Sequence, residues 1–363
     1  MDTRSDLGGG RCRQPPHCHR LIASCAIAVC LLWNSSISKA QSAERFEFRE
    51  PHLGTIVEVT LYAPDETVAS DSARAAFARI AELNRILSDY NPDSEVMRLC
   101  RSAGSGQAVP VSPELFEVLA KSLEISAATD GAFDVSIGPV VKLWRAARRR
   151  RTLPTEDQLA AARQLVGWQQ IHLDSKGRTV ELRKKGMSLD FGGIAKGYIA
   201  DQARAVLVAR GIRQCLVAVA GDIAAGDPPP GRDGWRIGVA PLDKPDADPS
   251  RYVRLVNGSI STSGDAFQFV EIGGVRYSHI VDPSTGLGLT RRSSVTVVAP
   301  TGMAADGLAT AISILGPDRG LKLIEQSKAT AAMIVLATDN GPTVTESPGF
   351  AKFLDGKEFL DGK

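Results

Sequence analysis

A carboxylate, a glycine pair and a lysine fall together in Met187-Ser-Leu-Asp190-Phe-Gly192-Gly193-Ile-Ala-Lys196-Gly197-Tyr198, where an apolar strand gives way to a helix. The run from Ile199 to Gly211 has apolar residues at helical spacing (Ile199, Ala203, Val206, Leu207) and ends on a glycine suited to a C-cap. Free backbone N–H groups and a partial positive charge at a helix N-terminus suit a phosphate, and paired glycines let the backbone approach it closely. Lys196 adds a mobile point charge and Asp190 an acceptor. Alone, the stretch would also read as a Gly-rich turn with a surface lysine.

A second candidate is Ala305-Asp-Gly-Leu-Ala-Thr310. Asp306 and Thr310 are four apart on an expected helix, so their oxygens share one face. A carboxylate and a hydroxyl are hard ligands, appropriate to Mg²⁺ and poor for zinc. The bland reading is an exposed helical Asp with an unrelated Thr. Ser278-His279-Ile280-Val281-Asp282-Pro283-Ser284-Thr285-Gly286 is a polar loop with a histidine three residues before an aspartate. Either His279 or Asp282 could act as a general base, and sequence does not choose between them; the bland reading is a Pro-Gly turn with a structural histidine. Ala220-Gly221-Asp222 and Ser261-Thr262-Ser263-Gly264-Asp265 read as polar turns after strands.

The elements that must position these residues are read from periodicity. Thr55 to Leu61 alternates as a half-buried strand. Glu66 to Leu87 carries Ala76, Ile80, Leu83 and Leu87 at helical spacing and stops before Asp89-Tyr90-Asn91-Pro92. Ser112 caps a helix from Pro113 to about Thr129, and Thr155-Glu-Asp-Gln158 is a capping box opening a helix that ends at Gly167. Ile171–Leu173 and Thr179–Leu182 form a strand pair. Further short strands are expected at Cys215–Val219, Trp235–Val239, Tyr252–Val256, Phe267–Ile272, Ser294–Ala299 and Ala331–Leu336, with helices at Met303–Leu315 and Asp318–Ser327. Strands and helices mix without regular βαβ alternation, so the expected class is α+β. Residues 225–234 read as a loop and residues 341–363 as a loose tail.

At 363 residues the chain can bury a large core, and 43% hydrophobic with 23% charged residues is ordinary for a globular protein. The net charge of +2 gives no electrostatic case for nucleic acid. Residues 1–40 read as an export signal: Arg11, Arg13 and Arg20 precede an apolar run from Leu21 to Trp33, too short to span a bilayer as a helix. Ser38-Lys39-Ala40 supplies a cleavage point before Gln41, so the expected location is periplasmic. Ile22-Ala23-Ser24-Cys25 resembles a lipoprotein cleavage box, but it follows Arg20 with almost no apolar region between. Cleavage leaves only Cys100 and Cys215, no disulfide framework and no zinc spacing. Two buried free thiols are expected.

Taken in order, the segments resemble the ApbE family of flavin transferases over most of the chain after residue 40. The pattern runs through Leu53-Gly54-Thr55, Ser88-Asp-Tyr90-Asn-Pro-Asp-Ser-Glu95, Gly131-Ala-Phe-Asp134, Asp190 to Tyr198, Gly221-Asp222, Thr262-Ser263-Gly264-Asp265, His279 to Gly286, and Asp306 to Thr310. Departures are mild: Leu53 stands where Met is usual, Ala220 where a first Gly is usual, Phe191 where Leu is common, and Ala266-Phe267-Gln268 replaces a Tyr-Glu-Arg-like run. The resemblance implies mixed, largely antiparallel sheets flanked by helices over residues 41–340. It also implies an exported enzyme that uses FAD and Mg²⁺, transfers FMN to a threonine (sometimes serine) hydroxyl of a partner protein and releases AMP. Flavin-bearing subunits of membrane redox complexes are the implied acceptors. Carried over by position, Leu53, Tyr90, Ala132, Phe133, Asp134, Asp190, Lys196 and Ile280 would contact FAD. Gly193 would offer its carbonyl to the metal beside Asp306 and Thr310, with Ala309 a further backbone candidate.

Other readings are weaker. Asp190-Phe191-Gly192 spells the kinase magnesium triplet, yet no His-Arg-Asp loop or glycine-rich nucleotide loop precedes it. The five arginines of Arg145–Arg151 read as a solvated helix end or loop rather than a nucleic-acid site. Two alternatives to transfer remain: a Mg²⁺-dependent FAD pyrophosphatase releasing FMN and AMP, and a periplasmic flavin-binding protein without catalysis.

Overall fold

The computed structural model describes residues 43–355, apart from 243–247, 250, 266–267 and 326. The expected export signal, with Cys25 and the cleavage point after Ala40, lies outside the described residues. The hairpin of β1 (Glu44–His52) and β2 (Thr55–Ala63) leads into α1 (Glu66–Leu87), α2 (Glu95–Arg101), β3 (Val109–Pro110), α3 (Pro113–Ala128), α4 (Gly138–Arg150) and α5 (Glu156–Arg163). Next come β4 (Ile171–Asp174), β5 (Thr179–Leu182) and α6 (Ala195–Ala209). Strands β6 (Cys215–Val219), β7 (Asp222–Ala225), β8 (Trp235–Val239), β9 (Arg251–Leu255), β10 (Gly258–Gly264), β11 (Phe269–Ile272), β12 (Val275–Ser278) and β13 (Ser293–Ala299) follow. The chain continues through α7 (Gly302–Leu315), α8 (Pro317–Glu325), β14 (Ala331–Thr338) and β15 (Gly341–Glu346).

One eight-stranded sheet, in the order β1-β2-β6-β7-β10-β13-β14-β15, organises the molecule, and every neighbouring pair in it is antiparallel. Smaller sheets pair β3-β5-β4, β8-β9 and β11-β12. The class is α+β, as the mixture of strands and helices implied. Asp65 caps α1 by accepting from the Val68 amide at 2.8 Å, and the helix buries Ala69, Ala73, Ala76, Ile80, Leu83 and Leu87. That stripe packs with α6 over Val57, Val59, Leu61, Val217 and Val219 of the sheet. All of β13 is buried because both its faces are covered. Val295 and Val297 pack under Ala305, Ala309 and Ile312 of α7, whereas Val298 joins Trp235, Ile237, Val253 and Phe350 in a separate cluster.

The structure differs from the sequence reading in several places. Residues 341–363 are not wholly a loose tail, because β15 pairs with β14 from Gly341 to Glu346 and Phe350 is fully buried. An edge strand exposes one side to water and tolerates Pro342, so it carries little apolar signal. Ser261 to Gly264 is not a turn but part of β10, held between β7 and β13. Its polar side chains meet partners there, Ser261 on Asp222 and Thr262 on Thr296. Of the arginines read as a solvated helix end or loop, Arg149, Arg150 and Arg151 are exposed, whereas Arg145 and Arg148 are half-buried on α4.

Helix α6 starts at Ala195, four residues before the expected Ile199, and crosses α7 at a glycine contact. A Cβ on Gly197 would lie 2.0 Å from the Gly302 carbonyl oxygen, and one on Gly302 would lie 2.4 Å from that of Gly197. Only glycine on both helices allows this approach. It brings the Gly197 amide to within 3.1 Å of the Asp306 carboxylate. Asp201 secures the same crossing by accepting from the Met303 amide at 3.2 Å and the Ser259 hydroxyl at 2.9 Å. Gly197→Ala should therefore cost about 1–3 kcal/mol of stability by overpacking. A denaturant melt checks this, and an unchanged midpoint would show that the crossing can relax.

Candidate active site

The turn before α6, the β6–β7 turn and the inner face of α7 meet in a cleft of about 1260 Å³. That exceeds the roughly 300–1,000 Å³ usual for small-ligand pockets and suits an elongated ligand. Of the residues singled out in the sequence, Leu53, Tyr90, Ala132, Phe133, Asp134, Asp190, Gly193, Lys196, His279, Ile280, Asp306 and Thr310 all line it. Asp282 and Ala309 do not. Asp282 accepts from the amide and hydroxyl of Ser284, at 2.8 and 2.7 Å, and so holds its own turn. Ala309 is buried against the sheet, with its carbonyl accepting from the Ser313 hydroxyl at 2.8 Å.

Opposed charges fill the floor. The Lys196 ammonium lies 2.9 Å from Asp222 and 3.7 Å from Asp306. Burial alone would lower the pKa of Lys196, but the two carboxylates outweigh it and raise it, so the lysine is held protonated. Asp306 is pushed up to about 7 by its burial and by Asp222, against Lys196 and the Gly197 amide. A single lysine therefore under-compensates two buried carboxylates. The Thr310 hydroxyl donates to the Gly193 carbonyl at 3.5 Å, and the Asp306 carboxylate one helical turn before Thr310 lines the same cleft. A Cβ on Gly193 would sit 2.8 Å from Thr310 Oγ1, so glycine keeps that approach open. All-oxygen donors and unbalanced negative charge fit Mg²⁺.

Around Tyr90, 76% exposed, the Arg145 guanidinium stacks at 4.1 Å. Arg145 also bonds Asp89 and reaches Asp190 at 2.8 Å. Burial and the neighbouring Asp89 nevertheless raise Asp190 to about 6, overriding Arg145 and the Gly192 amide. Asp134 serves its own loops: it accepts from the Ser136 amide and hydroxyl and from the Trp168 amide. Its burial still raises its pKa despite those donors.

His279 leaves a strand-paired position with its Nδ1 3.1 Å from the Gln268 carbonyl. A carbonyl only accepts, so Nδ1 carries the proton and Nε2 is left with its lone pair. Burial, with the cations Lys196 and Arg148, lowers the pKa of His279 to about 4, only partly offset by Gln268. The ring is therefore neutral near pH 7. Sequence reading assigned no role to Asp89, Arg145, Arg148 or Asp222. The signal for Asp222 was an aspartate directly after a strand-ending glycine, but its pairing with Lys196 depends on β6 and β7 lying beside α6. Cys100 and Cys215 are both free, one half-buried and one buried.

Fold and cleft together match one class of protein. The model of the ApbE family matches residues 53–334. The chain is 31% identical over 318 residues to the FAD:protein FMN transferase of Haemophilus influenzae, covering 84% of this chain and 90% of that protein. It is 32% identical over 321 residues to the protein of the same name from Vibrio cholerae, covering 86% and 93%. The solved structure of flavin transferase ApbE from Vibrio cholerae superposes with a TM-score of 0.76 at 30% identity, covering 86% of this chain and all of that one. This chain belongs to the ApbE family and, as an enzyme, is a transferase.

Proposed function

We propose that this chain is a Mg²⁺-dependent FAD:protein FMN transferase that attaches FMN to a threonine hydroxyl of a partner protein by a phosphoester bond and releases AMP. The observation that carries the reading is the meeting of Lys196, the oxygens of Gly193, Asp306 and Thr310, and the free Nε2 of His279 in one cleft. Tyr90, Phe133 and Ile280 offer aromatic and apolar surface to the flavin, and Lys196 with the α6 N-terminus holds phosphate oxygens. Gly193, Asp306 and Thr310 would hold Mg²⁺, which when bound would offset charge developing on the AMP leaving group. The acceptor hydroxyl oxygen forms its bond to the FMN-side phosphorus as the bond to the bridging oxygen breaks. Its proton passes to His279 Nε2, and AMP leaves with the bridging oxygen. A base with an available lone pair beside the phosphate-binding groups favours catalysis over binding alone.

Incubation with FAD, Mg²⁺ and a redox-complex subunit carrying an exposed threonine should raise the acceptor's intact mass by FMN less one water, with AMP released in equal amount. The acceptor should stay fluorescent after denaturation, and replacing its threonine by valine should remove the label. FAD consumed equally fast without acceptor, with only free FMN formed, would favour the pyrophosphatase.

The order of charged, apolar and small residues in 11–40 supports export to the periplasm, with cleavage after Ala40. N-terminal sequencing of the mature protein should begin at Gln41. A mature chain starting at a lipidated Cys25 would overturn this.

A further inference from the structure

Three cations line the cleft: Arg145, Arg148 and Lys196. Arg145 is paired with Asp89 and Asp190, and Lys196 with Asp222 and Asp306. Arg148 alone among them has no carboxylate partner among the described residues. It lies close enough to His279 to act on that ring's charge. Along α4, burial falls from Val140 and Trp144, both buried, through the half-buried Arg145 and Arg148 to the exposed Arg149 and Arg150, with Arg151 exposed just beyond. None of Arg149, Arg150 and Arg151 has a described carboxylate partner. A positive track therefore runs from the neighbourhood of the base out to solvent.

Compensation of the α4 dipole accounts for a cation or two at a helix C-terminus, not for one turned into the cleft. On the transferase reading the inner anions of the substrate would meet Lys196 and the α6 N-terminus. What must arrive from outside, past the helix end, is the acceptor.

We propose that the arginine end of α4, with Arg148 lining the cleft and the exposed Arg149, Arg150 and Arg151 next to it in the chain, docks an acidic segment of the acceptor protein flanking the hydroxyl that is modified. The proposal rests on the transferase reading. Unpaired guanidiniums at the rim steer and orient an oppositely charged chain, and Arg148 fixes its register by bidentate pairing with a carboxylate.

The test measures binding of two labelled threonine peptides to the FAD-loaded enzyme, one with an aspartate-rich flank and one with asparagine at those positions. Wild type should prefer the aspartate peptide, and added salt should erase the preference. Arg148→Gln, and separately a combined R149Q, R150Q and R151Q variant, should weaken the aspartate peptide about tenfold and leave the asparagine peptide and FAD affinity unchanged. Arg148→Glu should shift the preference toward a lysine-flanked peptide, a gain that misfolding would not produce. Equal wild-type affinity for the two peptides would overturn the proposal. So would an Arg148→Gln enzyme that loses FAD affinity and keeps peptide affinity, since Arg148 would then serve the FAD phosphates. Binding is read apart from transfer, so intact charge-dependent binding without FMN transfer counts against the transferase reading and not against the docking surface.

Discussion

Asp306→Ala is expected to lower FAD turnover by about 10³-fold or more, equivalent to about 4 kcal/mol of transition-state stabilisation. FAD affinity should change much less, because charge at the leaving group develops only as the phosphorus–oxygen bond breaks. The carboxylate lies 3.7 Å from the Lys196 ammonium, one helical turn from the Thr310 hydroxyl that bonds the Gly193 carbonyl. Its removal takes one of the two buried carboxylates beside Lys196 and leaves Lys196 to Asp222. The variant also leaves the Gly197 amide without its acceptor, a cost of about 1–3 kcal/mol that a melt will register separately. Asp306→Asn keeps the shape and can still accept from that amide, so its loss of turnover with a near-normal melt isolates the charge. Magnesium titration of both variants should show weakened metal binding. Full activity of Asp306→Ala in chelator-treated buffer would remove the metal role.

His279→Gln should cost about 10²–10⁴-fold in the transfer step, the usual worth of a positioned general base. The pH dependence carries the sign. In the free enzyme burial and two nearby cations hold His279 at about 4, below its ordinary value, so the basic form is present above that pH and lost below it. The acid limb of kcat/KM should thus fall near pH 4 rather than near 6.5. Anionic phosphates bound beside Lys196 oppose the depression, so the acid limb of kcat should lie at higher pH than that of kcat/KM. His279→Gln should lose this limb while keeping FAD affinity. An unchanged profile in the variant would move the base elsewhere. Asp282 is a poor substitute because its carboxylate is occupied by Ser284.

Helices and strands with strong local patterns were legible in the chain. Helix α1 spans Glu66–Leu87 as its apolar stripe implies, Ser112 caps α3, and the Thr155–Gln158 capping box is formed. These depend on neighbours one turn or two residues apart, which periodicity reports directly. The i, i+4 spacing of Asp306 and Thr310 was legible for the same reason. Elements stabilised from a distance were not. Strand β10 is rich in Gly, Ser and Thr because α7 and two neighbouring strands leave little room, and in isolation such composition reads as a turn. Edge strand β15 alternates too weakly to be seen, and α4 hides its buried face among arginines.

Sequence alone determined which side chains could do chemistry: the hard oxygens of Asp306 and Thr310, the lysine behind a glycine pair, and a histidine in a polar loop. Tertiary structure decided which of them act on one another. It set Asp222 against Lys196, opened Arg145 to both Asp89 and Asp190, turned His279 rather than Asp282 into the cleft and left Arg148 unpaired among the described residues. Asp222 meets Lys196 because β7 lies beside α6, and Arg145 reaches Asp89 and Asp190 from α4, which is 45 residues or more from either in the chain. Such contacts form through long-range packing, which leaves no periodic mark on the chain.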